Sequence, residues 1–306
     1  MKIAIMGSGG VGGYFGAKLA LAGNDVTFIA RGPHLEAMQK NGLKIHTDSG
    51  EITVNPVRAT DDPSTIGTVD AVLFCTKLYD TIDAAEALKP LMGPDTFVVT
   101  VQNGVSGPEL IGSVLGADRV MGGSTYIISH ISEPGVIHHI GTFQRIVFGE
   151  LDGSLSERGR AFEKACADAD IDVELTGTIQ KAMWEKFIPL TVMSGMTAVT
   201  RLPIGPILDD PKTAALADAA IEEVVAVGKA KGIPLDANAA ASVQKGVRSA
   251  PYETKSSMLV DLERGKKMEL PWLSATVARF GEETGVPTPT HAFIAAVLGP
   301  HAKGSG

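Results

Sequence analysis

Two kinds of hydrophobic pattern divide this chain. Through residue 178, short apolar runs alternate with helical stretches. Lys2–Met6 reads as a strand, 14–22 as a helix, and 25–30 as a second strand rich in β-formers. Residues 42–57 alternate apolar and polar positions around Asp48-Ser49-Gly50, the pattern of a hairpin. Residues 70–76 form a buried strand, 81–91 a helix closed by Gly93-Pro94, and 96–101 another strand. Strands at 120–128 and 145–148, an amphipathic helix at 155–169 and a last strand at 172–175 follow. Strands alternating with helices predict a parallel sheet with helical cover. Ligands of such sheets bind beyond the carboxyl ends of the strands, where Lys77 and Asn103 stand.

From Ile179 the strand signals stop. Helical periodicity covers 179–200, 212–231, 237–247, 255–264, 270–284 and 290–298. The expected fold is therefore α/β: an N-terminal Rossmann-type domain over 1–178, then an all-helical domain over 179–306, closely packed with a cleft between them. No linker separates the halves, no repeat is visible, and 303–306 should fray.

The opening stretch carries the first chemistry. Gly7-Ser8-Gly9-Gly10-Val11-Gly12 follows a strand, precedes a helix and is followed by a second strand, the context a dinucleotide fingerprint requires. Gly7 suits the tight turn, Gly9 the approach of backbone to a pyrophosphate, and Gly12 close packing of helix on strand. The helix N-terminus then offers N–H groups to phosphate. A secretory leader is the rival reading, since Lys2 is basic and Ala20-Leu21-Ala22 mimics a cleavage site. Six glycines within that stretch weaken an apolar helical core, and cleavage would remove the fingerprint.

At the end of the second strand, where an NAD site usually places an acid for the ribose hydroxyl, this chain has Arg31. A guanidinium there suits a 2′-phosphate, so NADP(H) is the expected cofactor. The formal charge of −8, without a long basic run, argues against nucleic-acid or anionic-membrane partners. Two distant cysteines, Cys75 and Cys166, form neither zinc spacing nor a CxxC and suit a reduced cytoplasmic protein. No apolar run reaches the roughly 18 residues of a membrane span.

Several motifs in order resemble the ketopantoate reductase (2-dehydropantoate 2-reductase) family: the glycine run, Thr76-Lys77, Gln102-Asn103-Gly104, Gly122-Gly123-Ser124-Thr125-Tyr126 with Glu133-Pro134-Gly135, Trp184-Glu185-Lys186-Phe187, and 256–262 followed by Glu269. The resemblance covers nearly the whole chain. It implies a Rossmann domain joined to a helical one, and reduction of ketopantoate to pantoate by NADPH on the route to coenzyme A. It implies Lys186 as the catalytic lysine and Glu269 as the active-site glutamate. It also implies Ser257 as a binder of substrate carboxylate, Asn103 at the cofactor and substrate cleft, and Arg31 with Lys77 at the 2′-phosphate. The chemistry agrees: an ammonium can stabilise charge growing on a keto oxygen and donate the proton, with no metal needed.

The substrate half departs from the family. The asparagines expected one and two turns past the lysine fall on Leu190 and Ser194, which leaves Ser194 as the polar candidate. Pro189 removes a helical hydrogen bond between them and Lys186. After Glu269, Leu270-Pro271-Trp272-Leu273-Ser274-Ala275 replaces a pattern ending in Asn-Gly. These changes predict looser or redirected selectivity, toward a more apolar 2-keto acid. Beside ketopantoate reduction stand two alternatives, a D-2-hydroxyacid dehydrogenase of the mandelate type and a non-catalytic NADP(H) sensor. Apolar helix faces suit a homodimer as well as a monomer.

Overall fold

Strand β1 (Lys2–Met6) runs through the middle of a ten-stranded sheet and pairs in parallel on both sides. The computed structural model describes residues 1–305, which form two compact units, Met1–Ile179 and a second from Gln180 onward. In the first unit the chain continues through α1 (Gly10–Leu21), β2 (Asp25–Ile29), α2 (Gly32–Asn41), the hairpin β3 (Leu43–Thr47) and β4 (Gly50–Val54), and the short β5 (Ala59–Thr60). Then come β6 (Ala71–Phe74), α3 (Thr81–Leu88), β7 (Phe97–Thr100), α4 (Gly107–Leu115), the long pair β8 (Val120–Glu133) and β9 (Val136–Glu150), α5 (Glu157–Asp168) and β10 (Asp172–Leu175).

The sheet order is β4-β3-β9-β8-β7-β6-β1-β2-β5, with β10 alongside β9. From β8 to β5 all neighbours are parallel. The chain steps from β1 outward to β2, then returns to β6 on the other side. The order therefore reverses between β1 and β6, where α/β sheets bind ligands. The central strands are apolar along their length because helices cover both faces: Ile3, Ile5, Leu73 and Val99 lie in one core, Ala4, Val72, Phe74 and Val98 in the other.

Three differences from the sequence pattern have physical causes. Helix α1 starts at Gly10, inside the glycine run, since Gly12 and Gly16 sit where a Cβ would strike Gly7 O at 2.3 Å and the Phe28 ring at 2.5 Å. Helices α2 and α4 are only ten and nine residues long, too short for a strong periodic signal, and enter through Pro33 and Pro108 in their first turns. Strands β8 and β9 run on past the predicted ends as one antiparallel ribbon, interrupted by register shifts at Ile127/Ile128 and Ile131/Glu133 that hide the alternation.

The second unit is helical: α6 (Ile179–Thr200), α7 (Ile204–Asp209), α8 (Pro211–Ala230), α9 (Ala239–Arg248), α10 (Ser257–Glu263), α11 (Ser274–Thr284) and α12 (Pro289–Leu298). Helix α6 continues across Pro189. Trp184 stacks on Phe280 at 6.2 Å, and the Lys231 ammonium lies 3.9 Å above that ring. Buried Glu223 accepts the N–H groups of Thr290 and His291 at 2.8 and 3.0 Å and so caps α12. No helix among the described residues is long and apolar enough to cross a membrane.

Candidate active site

Each strand leading to the reversal point ends in a loop with one polar anchor. After β1, Gly7 turns with φ of +93°, and a Cβ there would meet Thr76 of the β6 loop at 2.9 Å. Ser8 is buried. Its hydroxyl donates to Ile29 O at 3.0 Å and its N–H to the same carbonyl at 3.2 Å. Both groups are thus committed to the end of β2. Gly9 caps α1 without a side chain, and a Cβ there would point into open space. Gly10 lies against β8, 2.4 Å from Ser129 O by the same construction. The N-terminal turn of α1, from Gly10 through Val11 and Gly12, presents backbone N–H groups beside the gap over Gly9. A space with no side chain, facing a helix N-terminus, fits a pyrophosphate.

Arg31 caps α2 with its side chain 84% exposed, and its guanidinium lies 3.0 Å from the Asp80 carboxylate. Lys77 closes the β6 loop, and its carbonyl accepts the Asp80 N–H at 3.0 Å. Arg31 and Lys77 therefore both meet Asp80, the first at its carboxylate and the second at its backbone N–H. Asn103 is half-buried in the turn beyond β7, beside Gly104 with φ of +83°. Its neighbour Gln102 ties the strand-end loops together: Nε2 donates to Thr76 O at 3.0 Å and Thr81 Oγ1 at 2.8 Å, while Oε1 accepts from Thr100 Oγ1 at 3.1 Å. The sequence carries no local signal for that role, because its partners lie 21 and 26 residues away.

In the second unit Lys186 is half-buried, between Glu185 and the buried Phe187 on α6. Burial draws its ammonium down to about 8, against the raising influence of the Glu269 carboxylate. Glu269 is itself buried, at the N-cap of the turn Leu270–Trp272. A lysine protonated at neutral pH yet close to losing its proton is suited to general-acid work. Ser257 opens α10 with its side chain exposed, while Ser256 takes the cap, accepting Leu259 N–H at 3.0 Å and bonding Thr197 Oγ1 at 2.6 Å. Leu190 is half-buried. Ser194, Thr191 and Ser274 are buried with hydroxyls that lack a partner among the described residues. A Cβ on Gly195 would stand 3.1 Å from Ser274 Oγ. Both cysteines are free. Burial pushes the Cys166 thiol up to about 12 and Cys75 higher, so neither is a thiolate nucleophile.

A dinucleotide cradle on a parallel sheet, followed by a helical unit with a lysine–glutamate pair, defines a nicotinamide-dependent oxidoreductase. The sequence matches the family described as ketopantoate reductase PanE/ApbA over residues 3–153, and its C-terminal counterpart over 178–302. The chain belongs to the ketopantoate reductase family, an NAD(P)H-binding family of oxidoreductases. It is 34% identical to a 2-dehydropantoate 2-reductase of Mesorhizobium japonicum, over 95% of this chain and 94% of that protein. It is 33% identical to an uncharacterized oxidoreductase, YkpB, of Bacillus subtilis, over 88% of each. A crystal structure of a PanE/ApbA family ketopantoate reductase from Ralstonia eutropha superposes with a TM-score of 0.91, at 32% identity, covering 99% of this chain and 98% of that one.

Proposed function

We propose that this protein is a cytoplasmic, NADPH-dependent 2-dehydropantoate 2-reductase that makes pantoate for coenzyme A. The observation that carries the reading is the Lys186 ammonium, held near 8 beside buried Glu269. In this reading NADPH supplies the hydride when bound. Lys186 donates its proton to the keto oxygen as that oxygen gains negative charge, and Glu269 keeps the lysine charged until it does. The product carries one new C–H and one new O–H bond, and Lys186 recovers its proton from solvent. The glycine loop and α1 hold the pyrophosphate, and Arg31 with Lys77 hold the 2′-phosphate. Asn103, Ser257 and Ser194 contact the keto acid.

One observation favours a second reading, reduction of a more apolar 2-keto acid. Leu190 follows Lys186 by one helical turn, and an alkyl group there favours an apolar substituent over a hydroxyl. NADPH oxidation measured with ketopantoate beside a panel of bulky apolar 2-keto acids decides between them. Fast ketopantoate turnover, lost in Lys186→Ala, is the expected result. Slow ketopantoate with fast turnover of an apolar keto acid establishes the second reading.

A further inference from the structure

His34 joins two segments of the first unit that lie far apart in sequence. It sits in the first turn of α2, three residues after the Arg31 cap. Its Nε2 is 2.9 Å from Ser8 O in the glycine loop, 26 residues away. Its Nδ1 accepts the Gly135 N–H at 3.0 Å, from the β8–β9 turn 101 residues away. A carbonyl and an N–H demand opposite things of the two ring nitrogens. Nε2 must carry the proton and Nδ1 the lone pair, which is the neutral Nε2–H imidazole. Burial lowers the imidazole pKa and keeps that form in place at neutral pH.

Both backbone partners are buried residues, so neither finds water readily if the ring is removed. Ser8 has its remaining polar groups on Ile29 O, so the imidazole is what holds its carbonyl. Gly135 turns with φ of +79°, and its own carbonyl accepts Lys44 N–H at 3.0 Å. The imidazole thus fastens three pieces at one point: the glycine loop, the start of the helix that Arg31 caps, and the tip of the long ribbon.

We propose that His34 is a positioning residue for the dinucleotide, which presets the spacing between the phosphate-binding turn of α1 and the Arg31 guanidinium. The inference rests on the reading that this unit binds NADP(H). A cradle with mobile walls binds more weakly because ordering it is charged against the ligand. The contribution falls on cofactor affinity, since both of the ring's partners, Ser8 and Gly135, belong to the unit that carries the glycine loop.

The test is NADPH affinity by nicotinamide fluorescence titration, with amide hydrogen exchange of the unliganded protein, for wild type, His34→Ala, His34→Asn and His34→Gln. A glutamine amide offers a donor and an acceptor at nearly the spacing of the two ring nitrogens, whereas asparagine is too short to reach both partners. His34→Ala should weaken NADPH binding about tenfold, the equivalent of losing one buried hydrogen-bonded bridge. His34→Gln should stay within about threefold of wild type by the same scale. The Gly135 amide should lose protection in His34→Ala and keep it in His34→Gln. If the alanine variant does not fold, His34→Asn takes its place with the same expected loss. Equal affinity in wild type and the lesion variant, or a glutamine variant as weak as the lesion, overturns the proposal. A wild-type protein that binds neither NADPH nor NADH overturns the cofactor reading itself and this inference with it, and the wild-type titration alone separates that case.

Discussion

The Glu269 carboxylate raises the pKa of the Lys186 ammonium, and burial lowers it further than the carboxylate can restore. The balance leaves the lysine near 8, charged at neutral pH and neutral in mild alkali. If Lys186 is the proton donor, kcat/KM for keto-acid reduction should fall as pH rises through about 8. Glu269→Gln removes the supporting charge, so its alkaline limb should move to lower pH. Lys186→Ala should lose about 10²–10⁴-fold in kcat, the usual worth of a positioned general acid. An alkaline limb that stays in place in Glu269→Gln would show that the carboxylate does not support the lysine's charge.

The same pair has a cost in stability. The ammonium stands at 10.5 before burial and at about 8 in the fold, so folding disfavours its charged form. At neutral pH the lysine is protonated in both states, and the penalty is present in full. As pH rises from about 8 toward 10.5, the native protein sheds the proton before the unfolded chain does, and the penalty fades. Lys186→Met should therefore be more stable than wild type at pH 7, by roughly 1–3 kcal/mol, while losing activity. The gap should narrow above pH 8, which paired urea melts across pH 7–10 would measure.

Two glycines of the cradle separate folding from binding. A methyl group on Gly12 would stand 2.3 Å from Gly7 O and 2.9 Å from Ile5 Cγ2, and neither neighbour is free to withdraw. Gly12→Ala should cost about 1–3 kcal/mol and lower the melting temperature. Gly9 has an extended conformation with φ of −76° and open space where its Cβ would go. Gly9→Ala should melt with wild type yet bind NADPH at least tenfold more weakly, because the methyl group occupies the gap that fits the pyrophosphate. An unchanged dissociation constant for Gly9→Ala would place the phosphates elsewhere.

Much of this architecture was legible in the chain before any coordinates. The switch from short strands to helices near Ile179 follows from periodicity, and the family assignment agrees with the α/β fold expected. What stayed hidden has common physical causes. The glycines that begin α1 look like loop residues, and only their contacts with Gly7 O and Phe28 explain a helix built from them. Gln102 and His34 act through partners 21 to 101 residues away, so no local pattern marks them. Lys186 and Glu269 stand out in the sequence only through resemblance to a family, since an isolated lysine on a helix has no periodic signature. Nothing local marks the Thr191 hydroxyl, and the lack of partners for the Thr191 and Ser274 hydroxyls is visible only in the fold.

The buried contact between Glu223 and the start of α12 predicts an acid-sensitive helical unit. His291 is fully buried, with Nε2 3.0 Å from Ala220 O and Nδ1 without a partner among the described residues. The ring is therefore neutral, with its proton on Nε2. Burial lowers its pKa, partly opposed by the Ala220 carbonyl and the Glu223 charge. A histidine whose folded pKa lies below its unfolded value contributes fully above about 6.5 and loses that contribution as pH falls. Stability should decline below pH 6.5, and His291→Gln, which keeps the donor but cannot titrate, should flatten that limb. Glu223→Ala strips the acceptor from the Thr290 and His291 N–H groups and should cost about 1–3 kcal/mol at pH 7. It also removes the charge that raises the His291 pKa, so its acid limb should extend to lower pH than that of wild type. Urea melts of the three proteins between pH 5 and 7.5 would test this, and parallel limbs for wild type and His291→Gln would assign the acid sensitivity to another group.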